Sequence, residues 1–338
     1  MCKTIAAFGE VMMRLEVPDY ATLSQANQLY YSFSGTGVNI TSGLARFGYR
    51  GLLVSTLPAN PLGDAAIAFL RKLMIDTSYI CRDGHYIGKY FLEHGFGPRA
   101  SRVTYSNRIE SSFNTANTEN YLFEEIAKNS DIVHFCGISL AMNDRVRQQI
   151  KSFAALVKQY GNKILFDCNF RPHLWGNDGN RKAKQHYEEL LQLSDFVIMN
   201  EKDAIHTLGF KTKQTDIRMQ LEELIPQIAD HYGISVVAGT HRDINANNQH
   251  SIQGYIYKNK RMYFSPPFTF PVLDRVGAGD AFTAGIIHGE LQGFNPTKTL
   301  DFAIASCILA HTTKGDTPLA TTDDIYKVMG SDAHDIQR

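Results

Sequence analysis

The stretch Asp274-Arg275-Val276-Gly277-Ala278-Gly279-Asp280, continued by Ala281-Phe282-Thr283-Ala284-Gly285-Ile286-Ile287, sets two glycines just ahead of a run with helical character. Two glycines around an alanine leave the backbone free to present consecutive N–H groups at a helix N-terminus, where the helix dipole is positive and an anion is held well. The pattern predicts a phosphate cradle. Asp280 would stand at the same helix start, where those N–H groups favour its ionised form and its carboxylate can accept a hydroxyl proton. The plainer reading of the same residues is a glycine-rich turn in which Asp280 only caps the helix.

Upstream, apolar runs of strand length recur at 4–9, 51–57, 131–137, 163–169, 195–200 and 234–240, separated by helical patterns that include 62–75, 143–160, 180–193 and 218–232. These runs are continuous, not strictly alternating, so both faces of the strands are covered, as in a parallel sheet between helices. The expected fold class is α/β, a doubly wound and mostly parallel sheet flanked by helices. Two stretches, 11–34 and 85–111, do not fit the alternation. The second contains HYIGKYFLEHG, a turn at Gly95-Phe96-Gly97-Pro98, then RVTYSNRIE, and reads as a hairpin of a sheet with one wet face. Both stretches are assigned to a small β-lid inserted into a single domain over 1–338.

The chain has 338 residues, 43% apolar, and 34 Lys plus Arg against 34 Asp plus Glu. That length buries a full core without disulfides or metals. The balanced charge gives no footprint for nucleic acid or an anionic membrane, so neither is expected as a partner. Five scattered cysteines without a CxxC pair point to reduced thiols and a cytoplasmic protein. No apolar run reaches membrane-spanning length, and Glu10 comes too early for a signal peptide.

In open parallel sheets ligands bind beyond the carboxyl ends of the strands. Those ends are polar here: Asp167-Cys168-Asn169-Phe170-Arg171-Pro172, Asn200-Glu201-Lys202-Asp203 and Thr240-His241-Arg242-Asp243. Rival motifs fail. There is no GxxxxGK[ST], Gly277-Ala278-Gly279 lacks the third glycine of a dinucleotide fingerprint, and Gly137-Ile138-Ser139-Leu140-Ala141 only approaches the esterase nucleophile elbow.

DRVGAGDAFTAGI closely resembles the second signature of the ribokinase-like (PfkB) carbohydrate kinases, and other motifs agree in order across nearly the whole chain. Ser34-Gly35-Thr36-Gly37-Val38-Asn39-Ile40 with Leu44-Ala45-Arg46-Phe47-Gly48 is similar to the family's sugar-binding signature, Pro61-Leu62-Gly63-Asp64 to its G-x-D step, and Asn200 with Asp203 to its N-x-x-E motif. GISLA at 137–141, FDCNFRPHLW at 166–175 and GPRASRVTY at 97–105 are most similar to the family's 2-keto-3-deoxygluconate kinases. The sequence departs from the family pattern at Ser34, at Arg275, at Asp203 in place of Glu, and in lacking a G-x-x-G loop after the sixth strand.

The resemblance implies a ribokinase-like fold and a catalytic base at Asp280, with Gly277, Ala278 and Gly279 donating N–H groups to the phosphoryl and Arg171 between donor and sugar acid. It implies sugar contacts from Gly35, Asn39, Tyr90, Tyr105, Arg108 and Asn169, and nucleotide contacts from Asn200, Thr240, Arg242, Gly277 and Gly279. ATP and Mg²⁺ are the implied cofactors, the ion organised through water by Asn200 and Asp203, as Mg²⁺ usually prefers. A planar guanidinium matches a carboxylate bidentately, so Arg108 and Arg171 would suit an acidic sugar; the resemblance implies 2-keto-3-deoxygluconate, phosphorylated at its 6-position. Helix capping by Asn39, Asn200 and Asp203, and a merely solvated Arg108, are the plainer alternatives. A neutral sugar such as fructose, or a non-catalytic sugar-binding protein, are the alternatives for function, and the lid leaves room for a homo-oligomer.

Overall fold

The computed structural model describes residues 2–244 and 250–330. Its strands are Thr4–Phe8 (β1), Met12–Glu16 (β2), Tyr30–Ser34 (β3), Arg50–Leu57 (β4), Ile80–Arg82 (β5), Gly88–Glu93 (β6), Arg102–Ser106 (β7), Ile132–Cys136 (β8), Lys163–Asp167 (β9), Phe196–Ile198 (β10), Val236–Ile244 (β11), His250–Lys258 (β12), Arg261–Phe264 (β13) and Phe268–Phe270 (β14). The large sheet runs β13-β12-β11-β10-β9-β8-β1-β4-β5, with β14 also on β12. From β5 to β11 every pairing is parallel. A separate four-stranded sheet has the order β3-β2-β6-β7.

The parallel strands are sealed on both faces because their side chains are apolar at successive positions: β1 and β8 are buried throughout. One face packs under helices Asp144–Gln159, Gly179–Leu191 and Ile217–Tyr232, and the other under Thr36–Arg46, Ala278–Leu291 and Pro296–Ala310. At 25 cal/mol per Å² buried, these two layers are the main source of stability. Helix starts are set by local chemistry. Asn60, Asn143 and Asp216 accept hydrogen bonds from backbone N–H groups of the first turn, removing orphan donors there.

From β1 the chain goes to β4 and β5 on one side, then returns to β8 on the other. This reversal opens a crevice past the carboxyl ends of β1 and β8, the place where open α/β sheets bind ligands. The large sheet ends in an antiparallel edge: β11 runs on through Ile244 and pairs with β12 from Val236↔Lys258 to Ile244↔His250. A nucleotide-loop motif is therefore absent from 238–243 for a physical reason, since those residues are strand. The five cysteines are all unpaired. Among the described residues no helix is long and apolar enough to cross a membrane.

Candidate active site

One cavity of about 600 Å³ lies over the crevice, lined from the large sheet by Glu10, Ser139, Asp167, Asn169, Asn200 and Thr240 and from the small sheet by Met12, Ser34, Tyr90, Val103 and Tyr105. Every site residue named from the sequence lines it except Ala278, whose methyl is buried in the core beneath, leaving only its backbone for a ligand.

The glycine loop closes the cavity at the start of helix Ala278–Leu291. Gly277 is the N-cap, at φ 82°, and a Cβ there would overlap the carbonyl oxygen of Asp316. Glycine is thus required by conformation and by contact. Gly279 differs: a Cβ on it would meet nothing within 4 Å, so the missing side chain leaves free space at the cavity wall. Asp280 falls inside the first turn and is not the cap, which removes the plainer reading of this motif.

Asp280 is buried, and its Oδ2 accepts a hydrogen bond of 2.7 Å from Asn39 Nδ2. Burial pushes its carboxyl up from 3.8 to about 7, opposed by the Asn39 bond and by the positive charge of Arg171. A carboxylate poised there suits a general base near neutral pH. Asn39, on helix Thr36–Arg46, was expected to face the sugar; its Nδ2 instead serves Asp280, while its Oδ1 accepts from Thr317 Oγ1 at 3.4 Å. Gly35 caps that helix at φ 150°, where a Cβ would overlap the Glu10 carbonyl, so the close approach that demands glycine includes one to its own chain.

Two more acids share the cavity. Asp167, at the end of β9, and Asp203 are each raised from 3.8 to about 7, chiefly by burial. Asp280 adds to the rise at Asp167, and Asp167 to that at Asp203, while Arg171 opposes both. Asn200 and Asp203 cap each other's backbone: Asn200 Oδ1 accepts from Asp203 N at 3.0 Å, and Asp203 Oδ2 from Asn200 N at 3.0 Å. Among the described residues no three His, Cys, Asp or Glu converge as a metal cage. Hard carboxylate and amide oxygens beside open space fit Mg²⁺ held partly by water and phosphate. Asn169, at φ 36°, turns its Nδ2 onto Cys136 Sγ at 3.2 Å.

Cations line the rest. Arg242 on β11 is held below its ordinary pKa by burial and then by Arg275, and its Nη1 is buried without a partner among the described residues. Two guanidiniums beside a glycine cradle fit a polyphosphate. Arg108 is also buried. Its Nε donates to Glu10 Oε2 at 2.8 Å, Tyr105 stacks its ring 4.9 Å from the guanidinium carbon, and Nη1 has no partner among the described residues. Arg108 is thus not a solvated lid residue. Across the small sheet Arg14 registers with Tyr90, and Tyr90 with Tyr105, so the three side chains share one face.

Sequence reasoning left Glu10, Arg14 and Asp316 without a role. Glu10 lies two residues past the end of β1, so its place beyond the strand end was the available signal. Arg14 and Asp316 meet across 302 positions of chain and carry no local signal.

A buried carboxylate raised to about 7, a glycine loop at a helix start and, among the described residues, the partnerless Nη1 atoms of Arg108 and Arg242 share one cavity at the switch point, an arrangement suited to holding and transferring phosphoryl groups. Residues 3–322 match the pfkB family carbohydrate kinase. A crystal structure of 2-dehydro-3-deoxygluconokinase from Thermotoga maritima superposes with a TM-score of 0.93 at 30% identity, covering 98% of this chain and 99% of that one. One from Enterococcus faecalis, provisionally named a 2-keto-3-deoxygluconate kinase, gives 0.95 at 38%, covering 99% of both. The 2-dehydro-3-deoxygalactonokinase of Haloferax volcanii is 25% identical over 334 residues, 98% of this chain and 99% of its own. The chain belongs to the pfkB family of carbohydrate kinases, and ATP and Mg²⁺ are ligands of solved proteins of this fold.

Proposed function

We propose that the protein phosphorylates the primary hydroxyl of 2-keto-3-deoxygluconate at the expense of ATP, giving the 6-phosphate and ADP. The observation that carries this reading is Arg108, a buried guanidinium whose Nη1 has no partner among the described residues, in the same cavity as Asp280. A buried donor without a partner costs about 1 to 3 kcal/mol, which a bound carboxylate would recover. The names of the Thermotoga maritima and Enterococcus faecalis proteins support the same substrate.

In this account Asp280 removes the hydroxyl proton as the bond to phosphorus forms, and Asn39 holds the accepting carboxylate in place. ATP supplies the phosphoryl group, whose charge Mg²⁺ would offset when bound. The N–H groups of 277–279 stabilise negative charge on the group in transfer, Arg171 stands between donor and sugar, and Arg242 with Arg275 holds the remaining phosphates. Asn200 and Asp203 would hold the ion, in part through water. The strands within 11–34 and 85–111 act as a lid that keeps water away from the transfer.

One feature favours a neutral sugar: Glu10 already offsets the charge of Arg108. A coupled ADP-release assay over sugar acids and neutral sugars separates the readings. Preference for 2-keto-3-deoxygluconate supports the proposal, and higher kcat/KM for fructose overturns it.

A further inference from the structure

Three consecutive residues after helix Pro296–Ala310 touch the glycine loop, the small sheet and Asn39. The backbone N–H of Gly315 donates to Asp274 Oδ2 at 3.2 Å, just ahead of the glycine loop. Asp316 is buried, and its two carboxylate oxygens face two residues of the small sheet: Oδ1 accepts from Arg14 Nη1 and Oδ2 from the hydroxyl of Tyr90. Its carbonyl oxygen lies against Gly277, at the spot a Cβ would fill. The hydroxyl of Thr317 reaches Asn39, which holds Asp280.

Arg14 strengthens the join. It is 1% exposed, reaches from β2 to Asp274 at 2.9 Å as well as to Asp316, and is steadied by Glu16. Its neighbour across the strands is Tyr90, so the small sheet holds Asp316 from two adjacent strands. Val276 of the loop packs against Met12, Tyr90 and Leu92 of the same sheet. An arrangement of the sheet that moved Tyr90 would therefore pull on the residue that shapes the phosphate cradle.

We infer that Asp316 is a positioning residue that couples the sugar subsite to the phosphoryl subsite, its carboxylate taking Tyr90 and Arg14 while its backbone sets Gly277. A sugar that orders Tyr90 would favour the cradle geometry that holds the nucleotide, and by reciprocity the nucleotide would tighten the sugar. The inference uses the sugar subsite of the function proposed above and needs only that a sugar binds there.

The test measures the Kd of a non-hydrolysable ATP analogue with Mg²⁺, with and without saturating 2-keto-3-deoxygluconate, in wild type, Asp316→Ala and Asp316→Asn. Thermal melting monitors folding. Wild type should bind the analogue about 5-fold or more tighter with sugar present. Asp316→Ala keeps the carbonyl at Gly277 but loses both side-chain links, so the ratio should fall to about 1. Asp316→Asn, which can accept from Arg14 and donate to Tyr90 Oη, should restore most of it. A merely structural role would lower the melting temperature and leave the ratio intact, which overturns the inference, as does a wild type without coupling. If the sugar acid fails to bind wild type, the functional proposal falls, and the same titration with fructose decides the coupling.

Discussion

Asn39 Nδ2 lies 2.7 Å from Asp280 Oδ2, joining helix Thr36–Arg46 to helix Ala278–Leu291 inside the cavity wall. The amide favours the ionised carboxylate and fixes which oxygen faces the open space. A hydrogen bond to a charged group is worth about 1.5 to 3 kcal/mol, so Asn39→Ala should lower kcat by about 10-fold to 150-fold. Losing a bond to the charged form raises the pKa, so the acid limb of the rate profile, near pH 7 in wild type, should move to higher pH. A pH–rate series on both proteins checks this.

Gly277 and Gly279 should respond oppositely to the same methyl group. Gly277→Ala forces φ 82° on alanine and overlaps the Asp316 carbonyl, so the melting temperature should drop by several degrees. Gly279→Ala meets no protein atom and replaces glycine in a helix, which favours folding by up to about 1 kcal/mol. Its methyl intrudes where the phosphoryl is proposed to sit, so kcat should fall at least about 10-fold in a protein at least as stable as wild type. Scanning calorimetry and steady-state kinetics on the pair measure both effects.

Arg108→Gln should discriminate between substrates. It removes the charged partner for a sugar carboxylate, and kcat/KM for 2-keto-3-deoxygluconate should fall by roughly 10-fold to 150-fold. A neutral sugar should lose little. Glutamine retains a donor for Glu10, which also accepts from Ser111 at 2.7 Å, so that carboxylate is not stranded. Equal losses on both substrates would place Arg108 in the scaffold of the site.

The unliganded site should cost stability at alkaline pH. Asp167, Asp203 and Asp280 are each raised from 3.8 to about 7. Between about pH 4 and 7 the folded protein keeps protons that the unfolded chain has released, so these groups make unfolding easier as pH rises through that window. His134 and His288, pushed down by burial to about 3 and about 4, act in the opposite sense below their ordinary 6.5. The informative quantity is therefore a difference. The melting temperature of Asp280→Asn minus that of wild type should grow from pH 5 to pH 8, as differential scanning fluorimetry would show.

The α/β core was legible because parallel strands buried on both faces leave continuous apolar runs, as IVHFC at 132–136 does. The glycine loop at a helix start was legible because only glycine tolerates what happens at Gly277. The antiparallel edge from His250 to Phe270 went unread. Its strands mix polar and apolar residues and lack the helices that punctuate the rest. Asp316 was invisible for another reason: its partners Arg14, Tyr90 and Gly277 are remote in sequence, and register, not local composition, brings them together. Asn39 lines the cavity, but its bond to Asp280 follows from the packing of two helices that no motif encodes.

The central claim is that Asp280 accepts the proton of the sugar hydroxyl, and single-turnover phosphoryl transfer by Asp280→Asn tests it most directly. The amide matches the carboxylate in shape but cannot take a proton. Transfer should slow by about 100-fold to 10,000-fold, while the Kd of a non-hydrolysable ATP analogue stays near that of wild type. Transfer within a factor of a few of wild type would contradict the account.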